Sequence, residues 1–425
     1  MELISYPDRS LWDGLCSRPA DPNPVIRERV TSIVERVRAG GDSAIMELAR
    51  EIDGHASEDL KVSRERIEAA KLKVSDEVKK AISIAANNIE KFHTAQLPRE
   101  IEVVTSPGVR CIQRPVPINK VGLYIPGGTA PLFSTVLMLA IPARLAGCKE
   151  IILCTPSGKD GQIAPAVLYA ADFCGVTSIF EIGGASAIAA MAYGTESVPK
   201  VDKIFGPGNQ YVTTAKQMLS GSAVAIDMPA GPSEVMVIAD DTTDAPFAAS
   251  DLLSQAEHGR DSQVILVATS EAKALEIKAE VERQVALLSR EELAKGALAS
   301  SRLVVLKDED EIVAFADAYA PEHLIISTED PWKIAGRVTA AGSVFVGKYT
   351  PESAGDYASG TNHTLPTCRW ATSFSGVNID SFTRKMTLQE ITRDGLKGLS
   401  ATIIDMAEAE GLQAHANAVK VRIDD

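Results

Sequence analysis

Several features that would place this chain in a specialised class of protein are scarce or missing. The longest apolar run, residues 136–141, ends at Pro142 and falls short of the roughly 18 residues that a membrane-spanning helix needs. Residues 1–8 carry neither the basic segment nor the apolar segment of an export signal. We therefore expect a protein that has no membrane partner and works in the cytoplasm.

Cysteine and positive charge are also in short supply. The six cysteines form no Cys-x-x-Cys pair, which argues against a disulfide framework and suits free thiols in a reducing compartment. Lysine and arginine total 43 against 57 aspartates and glutamates, which gives a net charge of −14. Because an acidic protein repels a phosphate backbone on average, we expect no nucleic-acid partner.

The remaining composition is that of an ordinary globular protein. Hydrophobic residues make up 45% and charged residues 24% of the 425 positions. At roughly 150 residues per domain, this length predicts two or three domains, each with a core of its own.

Hydrophobic patterning divides the chain into segments of different character. Residues 25–97 are predicted to be helical, and a hairpin follows at 100–114. Between 121 and 240, strands alternate with helices, a pattern typical of βαβ units on a parallel sheet. A second α/β stretch runs from 233 to 377, and residues 378–425 are predicted to be mostly helical. More detailed predictions are helices at 25–39, 43–52 and 64–96 and strands near 234–239, 263–268, 302–306, 323–327 and 343–347.

Glycine-rich turns between strands and helices mark the first of the two α/β stretches. They lie at residues 126–128, 183–184 and 206–208. In open α/β sheets, ligands bind beyond the carboxyl ends of the strands, where helix N-termini offer free N–H groups to phosphate. None of these turns is a G-x-G-x-x-G motif, and each one taken singly is equally consistent with a plain tight turn. Three in series favour a crevice of nucleotide size.

Histidine is rare, with six in the chain, so its placement is informative. Gln255 and His258 are three positions apart near the end of a predicted helix, and therefore on one face. A carboxamide oxygen and an imidazole nitrogen can both bind zinc, although a histidine at a helix end more often interacts with the helix terminus.

Other titratable side chains stand in loops or on the predicted tail. Glu322 and His323 put an acid and a base side by side where a loop enters an apolar strand, which suits acid–base catalysis or a solvated loop pair equally. The glycine-punctuated loop 353–366 holds Asp356 and His363 and can wrap closely round a ligand. His415 lies on the helical tail, where spacing alone indicates a surface residue.

In these segments the chain resembles the histidinol dehydrogenase family from about residue 25 to 422. The resemblance rests on many unusual strings in the same order, namely VGLYIPGG at 121–128, KIFGPGN at 203–209, AGPSE at 230–234, LSQAEHG at 253–259, PEH at 321–323, GDYASGTNH at 355–363 and EGLQAH at 410–415.

The resemblance implies a role for each matching position. The implied zinc ligands are Gln255, His258, Asp356 and His415, and the implied catalytic pair is Glu322 and His323. The implied substrate contacts are Ser233, Gln255, His258, His323, Asp356, Glu410 and His415. The implied NAD contacts are Tyr124, Asn209 and Ser186, the last of which stands where many members of the family carry glutamine. Because serine is shorter, that contact is bridged by water or lost.

The same resemblance implies the domain organisation and the partners. We expect an α/β fold with two Rossmann-like parallel-sheet domains, one inserted in the other, plus a helical N-terminal region and a helical C-terminal tail. The expected parts are an arm at 1–24, a main domain with the substrate and zinc site at 25–120 and 233–377, an NAD-binding domain at 121–232, and a tail at 378–425. The implied assembly is a homodimer in which the exchanged tail brings Glu410 and His415 to the partner's site.

The implied reaction oxidises L-histidinol through L-histidinaldehyde to L-histidine with two NAD, the final steps of histidine biosynthesis. His323 is the expected proton acceptor, and Glu322 the expected base that activates water. Three other readings stay open at this point. A thiol route uses Cys111, Cys148 or Cys154, a zinc hydrolase uses Glu322 as its base, and a non-catalytic relative binds zinc or nucleotide only.

Overall fold

The computed structural model describes residues 1–18, 24–54, 57, 59–127, 131–158 and 160–423. The predicted glycine turn at 126–128 therefore lies only partly within the described residues, since Gly128 is outside them.

The described residues form fourteen strands and sixteen α-helices. The strands are β1 Glu2–Ser5, β2 Ile101–Ser106, β3 Val109–Pro117, β4 Lys120–Tyr124, β5 Glu150–Thr155, β6 Ser178–Glu181, β7 Lys203–Phe205, β8 Ala225–Ile226, β9 Glu234–Ala239, β10 Gln263–Ala268, β11 Arg302–Val305, β12 His323–Ser327, β13 Ser343–Val346 and β14 Thr383–Ile391. The helices are α1 Trp12–Leu15, α2 Pro24–Asp53, α3 Arg64–Lys71, α4 Asp76–Thr94, α5 Phe133–Ala146, α6 Pro165–Cys174, α7 Gly184–Tyr193, α8 Gln210–Leu219, α9 Ala245–Ala256, α10 Glu271–Val285, α11 Glu291–Ala299, α12 Glu309–Tyr319, α13 Pro331–Ala335, α14 Glu352–Tyr357, α15 Arg393–Ala409 and α16 Gln413–Ile423.

A six-stranded parallel sheet occupies one half of the molecule, in the order β1-β11-β10-β9-β12-β13. Every residue of β9, β10 and β12 is buried, as expected for strands covered on both faces. The α/β prediction for residues 233–377 is confirmed here. The edge strand β1 differs from the expected N-terminal arm, because Leu3 packs against the apolar core on one face of this sheet.

The second sheet is also parallel and has five strands, in the order β6-β5-β4-β7-β8. Helices α5 and α6 cover one face and α7 and α8 the other, as the alternation between 121 and 232 predicts. The helices α2, α3 and α4 pack on this sheet too, although the expected division assigned residues 25–120 to the other domain. Their apolar stripes explain this arrangement, since Val30 and Val34 join one core and Ile82 and Ile89 the other.

Local signals account for the breaks in the N-terminal helices. The predicted break between residues 39 and 43 is a kink inside α2, where Gly41 has a φ of 53°. The predicted helix 64–96 is instead two helices, because the Ser75 side chain accepts a hydrogen bond from the Val78 N–H and starts α4.

The C-terminal region is less helical than predicted. Its strand β14 pairs antiparallel with β3 along all nine residues, and β3 pairs with β2 in the predicted hairpin. This pairing uses the backbone N–H and C=O groups of β3 that a two-stranded hairpin would leave unpaired at its edge. The helices α15 and α16 pack mainly on each other and expose most of their residues.

A buried ion pair holds the turn that follows β7. Lys216 Nζ lies 2.5 Å from Asp227 Oδ1, and both side chains are at least 95% buried. The same lysine donates to the Gly206 carbonyl oxygen, while Asp227 Oδ2 accepts from the Gly206 N–H. Gly206 has a φ of 123°, and a Cβ there would lie 2.1 Å from the Tyr124 carbonyl oxygen. The pair therefore fixes a turn that only glycine can form.

We predict that Asp227→Ala destabilises the fold by about 3–5 kcal/mol, because it leaves the Lys216 charge buried without its partner. The matched control is Glu150→Ala, which breaks the exposed pair with Lys120 and should cost at most about 1 kcal/mol. Urea titrations followed by circular dichroism give both values. Equal, small losses for the two variants would contradict the role given to Asp227.

Candidate active site

The candidate site lies at the amino ends of two neighbouring strands in the six-stranded sheet. Strand β9 begins at Glu234 and β12 at His323, and His323 pairs in register with Val235. The preceding residues, Ser233 and Glu322, are therefore brought to the same edge. This edge is opposite to the one usual for ligands in open α/β sheets, so the sequence rule for strand ends does not locate it.

The main-chain groups of Glu234 hold the predicted catalytic pair. Its N–H donates to Glu322 Oε2 at 2.8 Å, and its carbonyl oxygen lies 3.2 Å from His323 Nδ1. The same carbonyl oxygen accepts from Gln255 Nε2 at 3.2 Å. The two peptide groups that flank the Glu234 Cα thus contact three predicted site residues, Glu322, His323 and Gln255.

Hydrogen bonding assigns the proton of a neutral His323. Both N–H groups of the Gln255 amide are used, one by the Glu234 carbonyl oxygen and one by Glu322 Oε2 at 3.2 Å. Gln255 Nε2 also lies 3.1 Å from His323 Nδ1, but both of its N–H groups are already directed at oxygen acceptors, so the proton of a neutral ring is assigned to Nδ1, which faces the Glu234 carbonyl oxygen. Its Nε2 is left as the basic atom, and within the described residues it has no hydrogen-bond partner.

Two helices bring further polar side chains to this edge. Helix α9 begins at Asp244, whose side chain accepts from the Phe247 N–H, and it places Gln255 in its last turn, fully buried. His258 lies in the turn after this helix, with Nδ1 3.4 Å from Ser233 Oγ. The short helix α14 carries Asp356, whose Oδ1 is 3.7 Å from His323 Nε2.

Glu352 belongs to this cluster although the sequence analysis did not select it. Its carboxylate lies with His323 and Asp356 in a group whose ligand atoms are all within 4.8 Å of one another. The side chain is 1% exposed, and its Oε2 has no hydrogen-bond partner among the described residues. The only sequence signal is its spacing of four positions from Asp356 on one helix.

His363 is a second residue to which no role had been assigned. Its Nδ1 lies 3.0 Å from the Asp356 carbonyl oxygen, and its Nε2 lies 3.1 Å from Thr135 Oγ1 on α5. The imidazole therefore ties the end of α14 to a helix that packs on the other sheet.

Burial and mutual charge shift the proton affinities of the group. Burial raises the pKa of Glu322, and the neighbouring His323 offsets this only in part. Burial alone disfavours a charged His323, but the carboxylates of Glu352, Glu322 and Asp356 outweigh it and raise the pKa of His323. Burial also raises the pKa of Glu352 to about 8. Strongly shifted groups of this kind are typical of functional sites.

The donor atoms of the group suit a divalent cation. Gln255 Oε1 is buried and has no hydrogen-bond partner within the described part of the chain, which is costly unless another group binds it. Gln255 Nε2 and Asp356 Oδ1 lie 3.1 and 3.7 Å from the two ring nitrogens of His323, and the charge of Asp356 acts on the imidazole of His258. Carboxylate and imidazole are common zinc ligands, and three of the four predicted metal ligands therefore lie at this edge of the sheet.

Glu410 and His415 are not brought to this group within the chain. Glu410 ends helix α15, His415 lies on α16, and both are exposed. Among the described residues, neither forms a hydrogen bond or ion pair with the site.

The predicted NAD contacts surround a separate cavity of about 810 Å³ at the carboxyl ends of β4, β5 and β6. Tyr124, Ser186 and Asn209 all line it, together with the described glycine turns Gly127 and Gly183–Gly184. The Tyr124 hydroxyl accepts from the Gly184 N–H at 3.0 Å. A smaller cavity of about 240 Å³, also lined by Asn209, reaches Pro232 and Cys368 beside the catalytic edge.

The helices α7 and α8 both begin at the larger cavity, but they differ in the groups that they offer a ligand. The Asn209 side chain accepts from the Tyr211 and Val212 N–H groups and so occupies the start of α8. Helix α7 starts at Gly183 without a side-chain cap, and Ser186 lies in its first turn. The Gly184 N–H is already bonded to the Tyr124 hydroxyl, and the N–H groups that follow it in the first turn are suited to an anion such as phosphate.

Two of the three cysteines considered for a thiol mechanism, Cys148 and Cys154, are poorly suited to it. Cys154 is fully buried, and burial raises its pKa. Burial raises the pKa of Cys148 to about 12. Neither thiol is ionised near neutral pH, which disfavours both as nucleophiles.

Within the described ranges, no helix is both apolar enough and long enough to cross a bilayer.

Known proteins resemble this chain along its entire length. The family model for histidinol dehydrogenase matches residues 16–423. Histidinol dehydrogenase of Bacteroides fragilis (strain YCH46) is 56% identical over 425 residues, covering 100% of this chain and 99% of the relative. That of Escherichia coli (strain K12) is 52% identical over 413 residues, covering 96% and 94%.

A solved structure gives the same result for the fold. The crystal structure of histidinol dehydrogenase from Elizabethkingia anophelis superimposes with a TM-score of 0.96 at 49% identity, covering 100% of this chain and 98% of that one. On the family match, the sequence identity and this superposition, the chain belongs to the histidinol dehydrogenase family.

Proposed function

We propose that this protein oxidises L-histidinol to L-histidinaldehyde and then to L-histidine, using zinc and two NAD per substrate. The observation that carries the proposal is the buried Glu322–His323 pair, held by the Glu234 main chain beside the unpartnered Gln255 Oε1. An acid–base pair next to atoms that can bind a metal matches a reaction that moves protons from a chelated substrate. Membership of the family supports the choice of histidinol.

Gln255, His258 and Asp356 are the residues of this chain that would hold the metal. When bound there, zinc would orient the substrate through the imidazole and amino nitrogens of histidinol, and its positive charge would offset that of Asp356. The unpartnered Nε2 of His323 faces Asp356 and is the atom of this chain that would act as the base. Ser233, whose Oγ is 3.4 Å from His258, lies where it can contact the bound substrate.

His323 serves the first oxidation. Its Nε2 takes the hydroxyl proton of histidinol while the carbinol carbon transfers a hydride to NAD, which leaves the aldehyde, NADH and an imidazolium. The Glu234 carbonyl oxygen holds the Nδ1 proton throughout and so fixes the direction of the ring. The aldehyde stays bound while NADH is exchanged for NAD.

Glu322 serves the second oxidation. Its carboxylate takes a proton from water as the water oxygen attacks the aldehyde carbon, and the His323 imidazolium returns its proton to the carbonyl oxygen. The resulting hydrate loses a hydroxyl proton to His323 and a hydride to the second NAD, giving the carboxylic acid. Burial suits Glu322 to this role, since a raised pKa makes a carboxylate a stronger base.

The cavity beside α7 is the proposed NAD site. Its volume and its lining by Tyr124, Ser186 and Asn209 support this assignment. The open N-terminus of α7 would take a phosphate, and Ser186 would contact the cofactor through its short hydroxyl or a bridging water.

Glu410 and His415 are proposed to act in the site of a second copy. Both are exposed on the helices α15 and α16, which pack mainly on each other rather than on the core of their own chain. A homodimer with exchanged tails would supply His415 as the fourth metal ligand and Glu410 as a substrate contact. Action in the cytoplasm stays a prediction.

We predict two NADH per histidinol consumed, because the alcohol and the hydrate each release one hydride. Purified protein with zinc, NAD and histidinol is followed at the NADH absorbance, and histidine is quantified. Removal of metal by a chelator should abolish activity, and zinc should restore it. A single NADH per histidinol, or hydrolysis without NADH, would contradict the proposed function.

We predict that Glu322→Gln spares the oxidation of histidinol to the aldehyde and slows the oxidation of added histidinaldehyde by about 100-fold or more, the usual range for losing a general base. His323→Gln, in contrast, should slow both half-reactions. Single-turnover measurements on each substrate separate the steps. If Glu322→Gln slows both half-reactions equally, the division of roles between the two residues is wrong.

We predict that mixing inactive His258→Ala and His415→Ala variants restores about a quarter of the parent activity after subunit exchange, because half of the dimers then hold one intact site. The matched control mixes His258→Ala with Gln255→Ala. Both of these changes damage the same part of the site, so no activity should return. Absence of recovery in the first mixture would show that the sites are not shared.

A further inference from the structure

The side chain of Glu234 takes part in a second buried contact on the side away from the catalytic pair. Its carboxylate is 2% exposed and receives two parallel hydrogen bonds from the Arg18 guanidinium, each 3.0 Å long. The Cys368 N–H donates to the same carboxylate at 2.7 Å. The Glu234 carboxylate is therefore bonded to two chain segments far away in sequence.

Arg18 in turn is held from several sides. Its remaining N–H groups donate to the carbonyl oxygens of Cys16 at 2.7 Å and Tyr319 at 2.6 Å. The guanidinium carbon lies 3.7 Å from the centre of the Tyr319 ring, and the Tyr319 hydroxyl donates to Gln263 Oε1 at 2.8 Å. Such a planar, stacked and bidentate arrangement is specific to arginine and is not reproduced by lysine.

The position of Tyr319 links this contact to the active site. Tyr319 ends helix α12, and Ala320 then adopts the left-handed region with a φ of 49° before the chain reaches Glu322. Arg18 therefore binds Tyr319, three positions before Glu322, and also Glu234, whose main chain contacts Glu322 and His323. One guanidinium thus contacts two residues that position the catalytic pair.

We propose that Arg18 and Glu234 are positioning residues, which set the catalytic pair by fixing the start of β9 against the end of α12. Among the described residues, neither side chain is hydrogen-bonded to a residue proposed to bind the substrate, the cofactor or the metal. The role goes beyond stability, because a buried ion pair adds little net stability over apolar residues of the same size. The pair instead fixes the positions of the catalytic groups. A displacement of about 1 Å in such a group can cost roughly 100-fold in rate.

The test compares Arg18→Lys, Arg18→Met and Glu234→Gln in steady-state histidinol oxidation with zinc and NAD. Each variant is expected to lower kcat by roughly 10- to 100-fold, with the KM for histidinol within about twofold of the parent. The double variant Arg18→Met/Glu234→Gln should lose no more than the worse single variant, because both changes release the same attachment. Circular dichroism at the assay temperature establishes that each variant is folded.

Arg302→Met is the matched control. Arg302 also donates to the N-terminal segment, through the Leu15 carbonyl oxygen at 2.6 Å, but it makes no contact with Glu234. This variant should lower the melting temperature and keep the parent kcat. A folded Arg18→Met protein with the parent kcat would overturn the proposal, as would a raised KM at unchanged kcat or fully additive losses in the double variant.

The inference rests on the proposed function, and the same assay separates the two. If the parent protein makes no NADH from histidinol, the proposed function fails. If the parent is active and the Arg18 variants match it, only the positioning role fails.

Discussion

The site depends on the way a single residue, Glu234, is fixed at the start of the central strand β9. Its N–H and carbonyl groups contact Glu322, His323 and Gln255, while its carboxylate is buried against Arg18. These contacts lie in an environment of low dielectric, where each hydrogen bond is stronger and each unpaired group is more costly than in water. The acid, the base and the proposed metal donor are therefore held at fixed distances from one another.

The two parallel sheets contribute opposite edges to the function. The five-stranded sheet presents the carboxyl ends of its strands, where glycine turns and the start of α7 surround the large cavity. The six-stranded sheet presents the amino ends of β9 and β12, where the titratable residues lie. The smaller cavity is lined by Asn209 and by Pro232, which precedes β9. In the proposed function, NAD and the substrate would be bound at the edges of different sheets.

The electrostatic character of the site follows from crowding carboxylates round one imidazole. Glu322, Glu352 and Asp356 together raise the pKa of His323, which alone would be lowered by burial. A cation bound at Asp356 would change this balance in favour of a neutral imidazole.

The sequence by itself determined the family, the parallel sheets, most strand positions and the residue types of the site, because these follow from hydrophobic periodicity and from short strings whose order is unusual. It did not reveal Glu352, the contacts of His363 or the Arg18–Glu234 contact, since the partners that give these residues their places are mostly distant in the chain. It also predicted a mostly helical tail, whereas β14 forms because β3 offers an open edge. Which helices cover which sheet, and which main-chain group holds the catalytic pair, were decided by the tertiary structure alone, because packing and hydrogen bonding between distant segments have no counterpart in local sequence.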